Sequence, residues 1–212
     1  MYKIHKDFNF LKNLLTEFLS QPDLIERFQI MKQTKISGWE TWFQIELAIF
    51  LQQHENVAEW ERESRHSLDK RKKDYRNNIS IDFYIRQKYA QESIPLEIKQ
   101  NEVARTCIRN MINDIAKFRS IRRSSLRTGR EPWCLGIHNK VTEKTIRDYL
   151  IDYELNYLEN CLWIHEIPNT EYMVTLILIS SLNFINYLLN RAYDHHLQHP
   201  YPPKRTLHPH RP

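Results

Sequence analysis

The sequence predicts an α/β protein with a mixed central β-sheet flanked by helices. Near the N-terminus the apolar residues recur at the helical spacing of 3.6, whereas between residues 58 and 99 they alternate with a period of two. Beyond residue 100, helical and strand patterns alternate. A chain of 212 residues with 41% apolar composition is long enough to bury a core of this kind.

The first part of the chain is predicted to be helical. Residues 8–31 carry apolar side chains at helical spacing, and Gln21-Pro22-Asp23 divides them into two helices. Ser37 is a candidate N-cap for the next helix, GWETWFQIELAIFL. We therefore expect an N-terminal helical segment over residues 1–36, followed by a larger domain over residues 37–193.

The domain is predicted to contain an αβββαβ core. Three strands with short connections are expected at residues 58–63, 79–85 and 94–99. Further along the chain, the patterns predict a helix over 102–122, a strand over 133–138, a helix over 142–160, a buried strand over 174–180 and a final helix over 182–193. The tail, residues 194–212, contains five His and five Pro, and we predict that it is disordered.

The amino-acid composition argues against several kinds of binding site. Only three glycines are present, which disfavours a glycine-rich phosphate loop, and a net charge of +5 suits a polyanionic partner. Cys107, Cys134 and Cys161 form no CxxC pair, which argues against a disulfide framework or a thiolate zinc site. The longest apolar run, residues 173–179, is too short to span a bilayer. We expect a soluble, cytoplasmic protein.

Acidic residues lie on the second face of two neighbouring predicted strands. Asp82 alternates with apolar residues in one strand, and Glu97 and Lys99 alternate with them in the next. A short antiparallel connection would bring the two carboxylates within a few ångströms, where they repel each other unless a cation lies between them. The opposite, apolar face is predicted to comprise Ile79, Ile81, Phe83, Ile85, Ile94, Leu96 and Ile98.

A third acid belongs to the apolar helix over residues 38–51. Glu46 lies within a stripe that includes Trp42, Phe43 and Ile49, and a carboxylate there is costly unless it is paired or bound to a metal. A rotation of the helix would direct Glu40 and Gln44 to the site instead. We favour Glu46.

This series of elements resembles the PD-(D/E)xK nuclease superfamily. Its features are a Glu on a first helix, an apolar-Asp-apolar strand, and a strand in which Glu97-Ile98-Lys99-Gln100 is followed by a long helix. The matching stretch runs over residues 38–137. One position departs from the family pattern, because Ser80-Ile81 stands where a proline often precedes the aspartate. The resemblance implies a restriction-endonuclease-like fold.

The resemblance also implies a role for each site residue. Asp82 and Glu97, with the backbone carbonyl of Ile98, would bind Mg²⁺ or Mn²⁺. Lys99 would hold or activate the attacking water and counter the charge that builds on the phosphate. Glu46 would orient a metal-bound water or help to hold a second ion. Gln100 would steady the site or touch the phosphate.

Two basic clusters flank the predicted site in sequence. A solvated charge run is the ordinary interpretation of either cluster alone, but their position beside one acidic site favours contacts with a phosphate backbone. The predicted nucleic-acid contacts are Lys70, Arg71, Lys72, Lys73, Arg76, Arg119, Arg122, Arg123, Arg127 and Arg130.

The sequence therefore predicts a metal-dependent endonuclease that hydrolyses phosphodiester bonds of DNA, with RNA left open as a substrate and a homodimer as an assembly. Restriction or anti-phage defence and antibacterial toxicity are settings that fit. The alternative is a catalytically inactive nucleic-acid-binding or assembly module with the same fold. Convergence of Asp82, Glu97 and Lys99 on one side of the sheet would favour the enzyme.

Overall fold

The computed structural model describes residues 2–67, 78–120, 128–153 and 161–178. These residues form five helices and one six-stranded mixed sheet, in agreement with the predicted α/β class. The helices are α1 (Tyr2–Leu19), α2 (Pro22–Gln33), α3 (Glu40–Gln53), α4 (Ala104–Ser120) and α5 (Glu143–Asp152). The strands are β1 (Val57–Ser67), β2 (Asn78–Gln87), β3 (Ile94–Gln100), β4 (Trp133–Asn139), β5 (Leu162–Glu166) and β6 (Tyr172–Leu178).

The sheet has the strand order β1-β2-β3-β4-β6-β5. Strands β1, β2 and β3 form an antiparallel meander, β3 and β4 run parallel, and β6 is antiparallel to both β4 and β5. Parallel neighbours need a long crossover, and α4 lies in the connection between β3 and β4. The mixed sheet and the order αβββαβ from α3 to β4 are as predicted.

The core lies in two layers, one on each face of the sheet. Helices α1, α2 and α3 pack on one face, where Leu11, Phe28 and Leu47 belong to the same cluster as Leu96 of β3. Helices α4 and α5 cover the other face around Met111. Helices α1 and α2 thus share a core with the sheet, within a unit that spans residues 1–180.

Several boundaries differ from the predicted ones. Helix α1 begins at Tyr2, and α3 is preceded by Trp39, with no side-chain hydrogen bond capping it, so Ser37 is not its N-cap. Strand β5 was not predicted, because its five residues carry too short an apolar pattern and depend on pairing with β6. Helix α5 ends at Asp152. The predicted helix over 182–193 and the tail over 194–212 lie outside the described residues.

The predicted apolar face of β2 is wrong at Ile81. Phe83 packs in the core of α1 to α3, whereas Ile81 packs with Tyr84 in the core of α4 and α5. The regular pairing of β1 with β2 is interrupted next to Ile81 and Phe83. There, Glu63 of β1 has a φ of 55°, a backbone conformation that non-glycine residues seldom adopt. No helix in the described part of the chain is long and apolar enough to cross a membrane.

Gly136 of β4 allows α4 to lie directly on the sheet. A Cβ atom at this position would overlap Met111 Sδ and would lie 3.0 Å from Cys107 Sγ, both on α4. A larger residue at position 136 would therefore require the buried side chains of Met111 and Cys107 to move. This close packing sets the distance between α4 and the strands β3 and β4 beneath it.

Arg130 lies inside the protein. Its side chain is 14% exposed and forms ion pairs with Asp7 of α1 and with Glu92, the latter at 3.4 Å. These contacts tie α1 to the loop before β3 and to the loop before β4. The Arg130 guanidinium is thus already paired with two carboxylates, and its contact with nucleic acid stays a prediction.

We expect Arg130→Ala to lower the free energy of unfolding by about 3 kcal/mol, because removing one partner leaves the buried Asp7 carboxylate without its counter-ion. Arg147→Ala is the matched control. Arg147 pairs with Glu143 on the exposed side of α5, and its loss should lower the free energy of unfolding by about 0.5 kcal/mol or less. Urea unfolding measures both changes, and equal losses would contradict the burial argument.

Gly136→Ala should lower the free energy of unfolding by about 1–3 kcal/mol, because the new methyl group overlaps Met111 of α4. The control is Gly129→Ala, where the added methyl group would meet the end of the flexible Glu92 side chain. We expect the control to change stability by less than about 1 kcal/mol. An unchanged free energy of unfolding in Gly136→Ala would show that the contact between β4 and Met111 of α4 is loose enough to accept a methyl group.

Candidate active site

Strand β2 leaves β3 at Asp82. The two strands pair from Ile85↔Ile94 to Phe83↔Leu96, and the next pair in this register would be Asp82 and Glu97. Instead of continuing the ladder, the Asp82 carboxylate accepts the backbone N–H of Ile98 at 2.8 Å. The pairing of β2 with β1 also skips Asp82. Both ladders are therefore interrupted at this one residue.

The departure of β2 exposes one edge of β3. The N–H groups of Ile98 and Gln100 point to this edge, and two carboxylates take the place of the missing strand. Asp82 accepts from Ile98, and Glu40 of α3 accepts from Gln100 at 2.8 Å. Because the N–H and C=O of one strand residue share an edge, the carbonyl of Ile98 faces the same space. We call this space the β2–β3 notch.

Glu97 and Lys99 extend from β3 toward α4. The Glu97 side chain is fully buried, and its Oε2 lies 3.9 Å from Lys99 Nζ. Lys99 Nζ also lies 3.0 Å from Asp114 Oδ2 of α4, and these two side chains are 21% and 14% exposed. Of the predicted trio, Glu97 and Lys99 thus lie on the α4 side of β3, and the Asp82 carboxylate lies at the strand edge, close enough to raise the pKa of Lys99.

Among the residues that the structure describes, acidic groups outnumber basic ones around the notch. Burial lowers the pKa of Lys99, but the carboxylates of Glu97, Asp114 and Asp82 more than offset this, so the pKa lies above its ordinary value and Lys99 is charged. Burial raises the pKa of Glu40, and Asp82 and Asp114 add to the shift, against the opposing effects of Lys99 and the Gln100 N–H. A divalent cation would relieve this excess of negative charge.

The donors at the notch fit a hard divalent ion. Asp82, Glu97 and the Ile98 carbonyl offer oxygen atoms, which are the ligands that Mg²⁺ and Mn²⁺ prefer. Within the described ranges, no three His, Cys, Asp or Glu side chains form a metal-binding group by themselves. Mg²⁺ needs only one or two protein carboxylates, since waters and phosphate oxygens complete its shell. The donor set therefore suits an ion shared with a phosphate substrate.

Glu40 occupies the position for which we favoured Glu46. The Glu46 carboxylate pairs with Arg27 at 2.5 Å and accepts the indole N–H of Trp42 at 3.0 Å. Six residues separate the two acids, so they point in different directions from α3 and lie about 9 Å apart along its axis. We predicted that Glu46 would be the helix acid beside the strand acids, but Glu46 contacts Arg27 and Trp42 instead. The alternative, Glu40, is the acid that α3 places at the notch.

The error has a physical cause. Helix α3 is apolar on nearly every side, since Ile45 and Ile49 are exposed while Phe43 and Leu47 are buried. Its apolar period therefore does not identify the buried face. Gln44, the other residue of the alternative, is buried and accepts from Arg62 at 3.2 Å. Only contacts with the sheet select the correct side of this helix.

The other predicted site residues are placed as follows. Gln100 follows Lys99 at the notch, where its backbone N–H contacts Glu40 and its side chain is half-buried. The roles of its amide and of the basic clusters stay predictions. Lys70, Arg71, Lys72, Lys73, Arg76, Arg122, Arg123 and Arg127, and the side chain of Arg119, lie outside the described residues.

Asp114 is a site residue that the sequence analysis missed. Buried residues of α4 include Met111 and Phe118, and Asp114 lies three residues after the first and four before the second. A carboxylate on the buried stripe of a helix was the signal that drew attention to Glu46. The same criterion applied to the helix ARTCIRNMINDIAKFRS would have identified Asp114.

Comparisons of the chain with models of known protein families, with curated proteins and with solved structures found no match. Asp82, Glu40, Glu97 and Asp114 supply four carboxylates at or beside the β2–β3 notch, together with the Lys99 ammonium and the Ile98 carbonyl.

Proposed function

We propose that this protein is a metal-dependent nuclease of the PD-(D/E)xK type, which hydrolyses phosphodiester bonds of DNA. One observation carries the proposal. Asp82, Glu97 and Lys99 meet where β2 leaves β3, with a helix acid, Glu40, beside them. The order αβββαβ from α3 to β4 is the order that a restriction-endonuclease-like core requires, which supports the same proposal.

Asp82, Glu97 and the Ile98 carbonyl would hold Mg²⁺ or Mn²⁺. When bound, the ion supplies positive charge to the scissile phosphate and lowers the pKa of a coordinated water. Lys99 carries a positive charge in this surrounding, so it acts as a hydrogen-bond donor and not as a proton acceptor. Its ammonium would orient the attacking water and stabilise the additional charge on the phosphate in the transition state.

Glu40 takes the role that the resemblance gives to a helix acid. Its carboxylate is fixed by the Gln100 N–H, and its pKa is raised above the ordinary value. A carboxylate with a raised pKa is a better proton acceptor than an ordinary glutamate. We propose that Glu40 orients a water at the notch and accepts a proton from it as the phosphodiester bond is attacked.

DNA is the substrate we favour, with the two basic clusters as backbone contacts and RNA as the other nucleic acid to test. A cytoplasmic role in restriction or anti-phage defence, or a role as an antibacterial toxin, fits a small nuclease. These settings rest on analogy with the fold that we propose. A homodimer would allow two such sites to cut both strands.

A second function has one observation in its favour. The Glu97 carboxylate is fully buried, and Lys99 is engaged by Asp114 in addition to Glu97. A site closed in this way would suit a protein that keeps the fold and binds nucleic acid without cleaving it. Such a module would bind DNA with a salt-dependent affinity and would leave it intact.

Supercoiled plasmid should be nicked or cut by the purified chain with Mg²⁺ or Mn²⁺, and EDTA should abolish the cleavage. Glu97→Gln, Asp82→Asn and Lys99→Met should each lower the rate by at least about 100-fold, because each removes an interaction with the ion or with the transition state. Glu59→Gln is the matched control. Glu59 forms an exposed ion pair with Arg86, and its loss should leave the rate unchanged.

The result that would reject the nuclease proposal is equal cleavage by the unaltered chain, Glu97→Gln and Lys99→Met, since a contaminating enzyme would then be responsible. DNA binding without cleavage would establish the second function instead. Calorimetric titration with Mn²⁺ adds an independent measurement. The unaltered chain should bind the ion, and Asp82→Asn should weaken that binding, whereas Glu59→Gln should not.

Glu40→Gln should lower the cleavage rate by about 10–100-fold, while the protein remains folded. The glutamine carbonyl can still accept the Gln100 N–H, so the variant removes the charge and the proton acceptor but keeps the hydrogen bond. Glu46→Gln on the same helix should leave the rate within about twofold of the unaltered chain. If Glu46→Gln lowered the cleavage rate more than Glu40→Gln did, Glu46 would be the helix acid of the site.

A further inference from the structure

Lys99 has two acidic neighbours on different elements. Its ammonium lies 3.0 Å from Asp114 of α4 and 3.9 Å from Glu97 of its own strand. Asp114 therefore makes the shorter contact. The ammonium therefore lies beside α4. The residues that carry the resemblance to PD-(D/E)xK nucleases do not include an acid on this helix.

Asp114 is a costly residue in this position. It lies on the buried stripe of α4 with Met111 and Phe118, where an aliphatic side chain would pack without loss of hydration. A buried ion pair is weak evidence for stability, because removing two charged groups from water offsets much of their attraction. A function in placing Lys99 would account for an acid here.

The helix that carries Asp114 is rigidly placed against β3 and β4. Gly136 of β4 permits close contact with Met111, and Cys107 Sγ lies 3.5 Å from the carbonyl oxygen of Lys99. The distance from Asp114 to Lys99 is therefore set by the packing of two regular elements and not by a loop. Groups held in this way are positioned more accurately than groups on loops.

We infer that Asp114 is a positioning residue for Lys99, which holds the ammonium at the rim of the β2–β3 notch and out of the space between Asp82 and Glu97. Without Asp114, the closest remaining carboxylate is that of Glu97, and the ammonium would move toward the acid pair and compete there with a divalent cation. This inference rests on the proposed nuclease function, because it assigns Lys99 to the phosphate.

Three variants separate positioning from folding. Asp114→Asn keeps the shape of the side chain but removes its charge, and Asp114→Glu keeps the charge but displaces it by one methylene group. Asp152→Asn is the matched control, since Asp152 pairs with Arg105 on an exposed surface at 3.1 Å. Circular dichroism and urea unfolding establish which variants are folded before any other measurement.

The position of Lys99 can be observed without metal or substrate. Lysine ammonium groups held in ion pairs exchange protons slowly enough to be detected by ¹H–¹⁵N spectroscopy, and Lys99→Arg identifies the signal of Lys99. We expect this signal in the unaltered chain, its loss in Asp114→Asn and its retention in Asp114→Glu and Asp152→Asn. Persistence of the signal in Asp114→Asn would overturn the inference, whatever the activity.

Cleavage kinetics supply the second measurement. Asp114→Asn should lower kcat by about 10-fold or more while the KM for DNA changes by less than about threefold, because the substrate still binds but meets a misplaced lysine. Asp114→Glu should restore part of kcat. An unchanged kcat in folded Asp114→Asn would overturn the positioning role.

The two proposals fail in different ways. If the unaltered chain does not cleave DNA, the proposed function is wrong and the inference falls with it, even where the Lys99 signal depends on Asp114. If the unaltered chain cleaves DNA and Asp114→Asn does so at the same rate, the nuclease stands and only the role of Asp114 is lost. Raised KM with constant kcat would also reject positioning, since Asp114 would then act on binding.

Discussion

The structure of this site depends on the end of one hydrogen-bond ladder. Once β2 leaves β3, the N–H groups of Ile98 and Gln100 have no strand partner, and a buried strand edge cannot leave such donors unsatisfied. The carboxylates of Asp82 and Glu40 accept them. These hydrogen bonds to backbone N–H groups thus hold two carboxylates, from different elements, next to β3.

Charge balance is the second constraint. Asp82, Glu97 and Asp114 all act on Lys99, and together they keep the ammonium charged despite its burial. The lysine alone cannot neutralise the acids around it. A divalent cation would relieve this excess of negative charge in the nuclease site that we propose.

Much of the fold follows from local patterns. Alternation along β3 identified Glu97 and Lys99 on the face that adjoins α4, because side-chain direction in a strand is set by a period of two. The same regularity, applied to β2, predicted the wrong face for Ile81. The positive φ of Glu63 disturbs the neighbouring strand, and no pattern in the sequence indicates that a glutamate adopts this conformation.

By itself, the sequence determined the order αβββαβ from α3 to β4 and the positions of Glu97 and Lys99 along β3, since periods of 3.6 and 2 are properties of local geometry. Only the tertiary structure decided which side of α3 faces the sheet, because that helix is apolar all round. The packing of α3 on the sheet places Glu40 at the notch and pairs Glu46 with Arg27. The tertiary structure also brought Asp114 to Lys99 across elements that local periodicity treats separately. Contacts between distant segments depend on how whole elements pack, and packing is decided by the complete core.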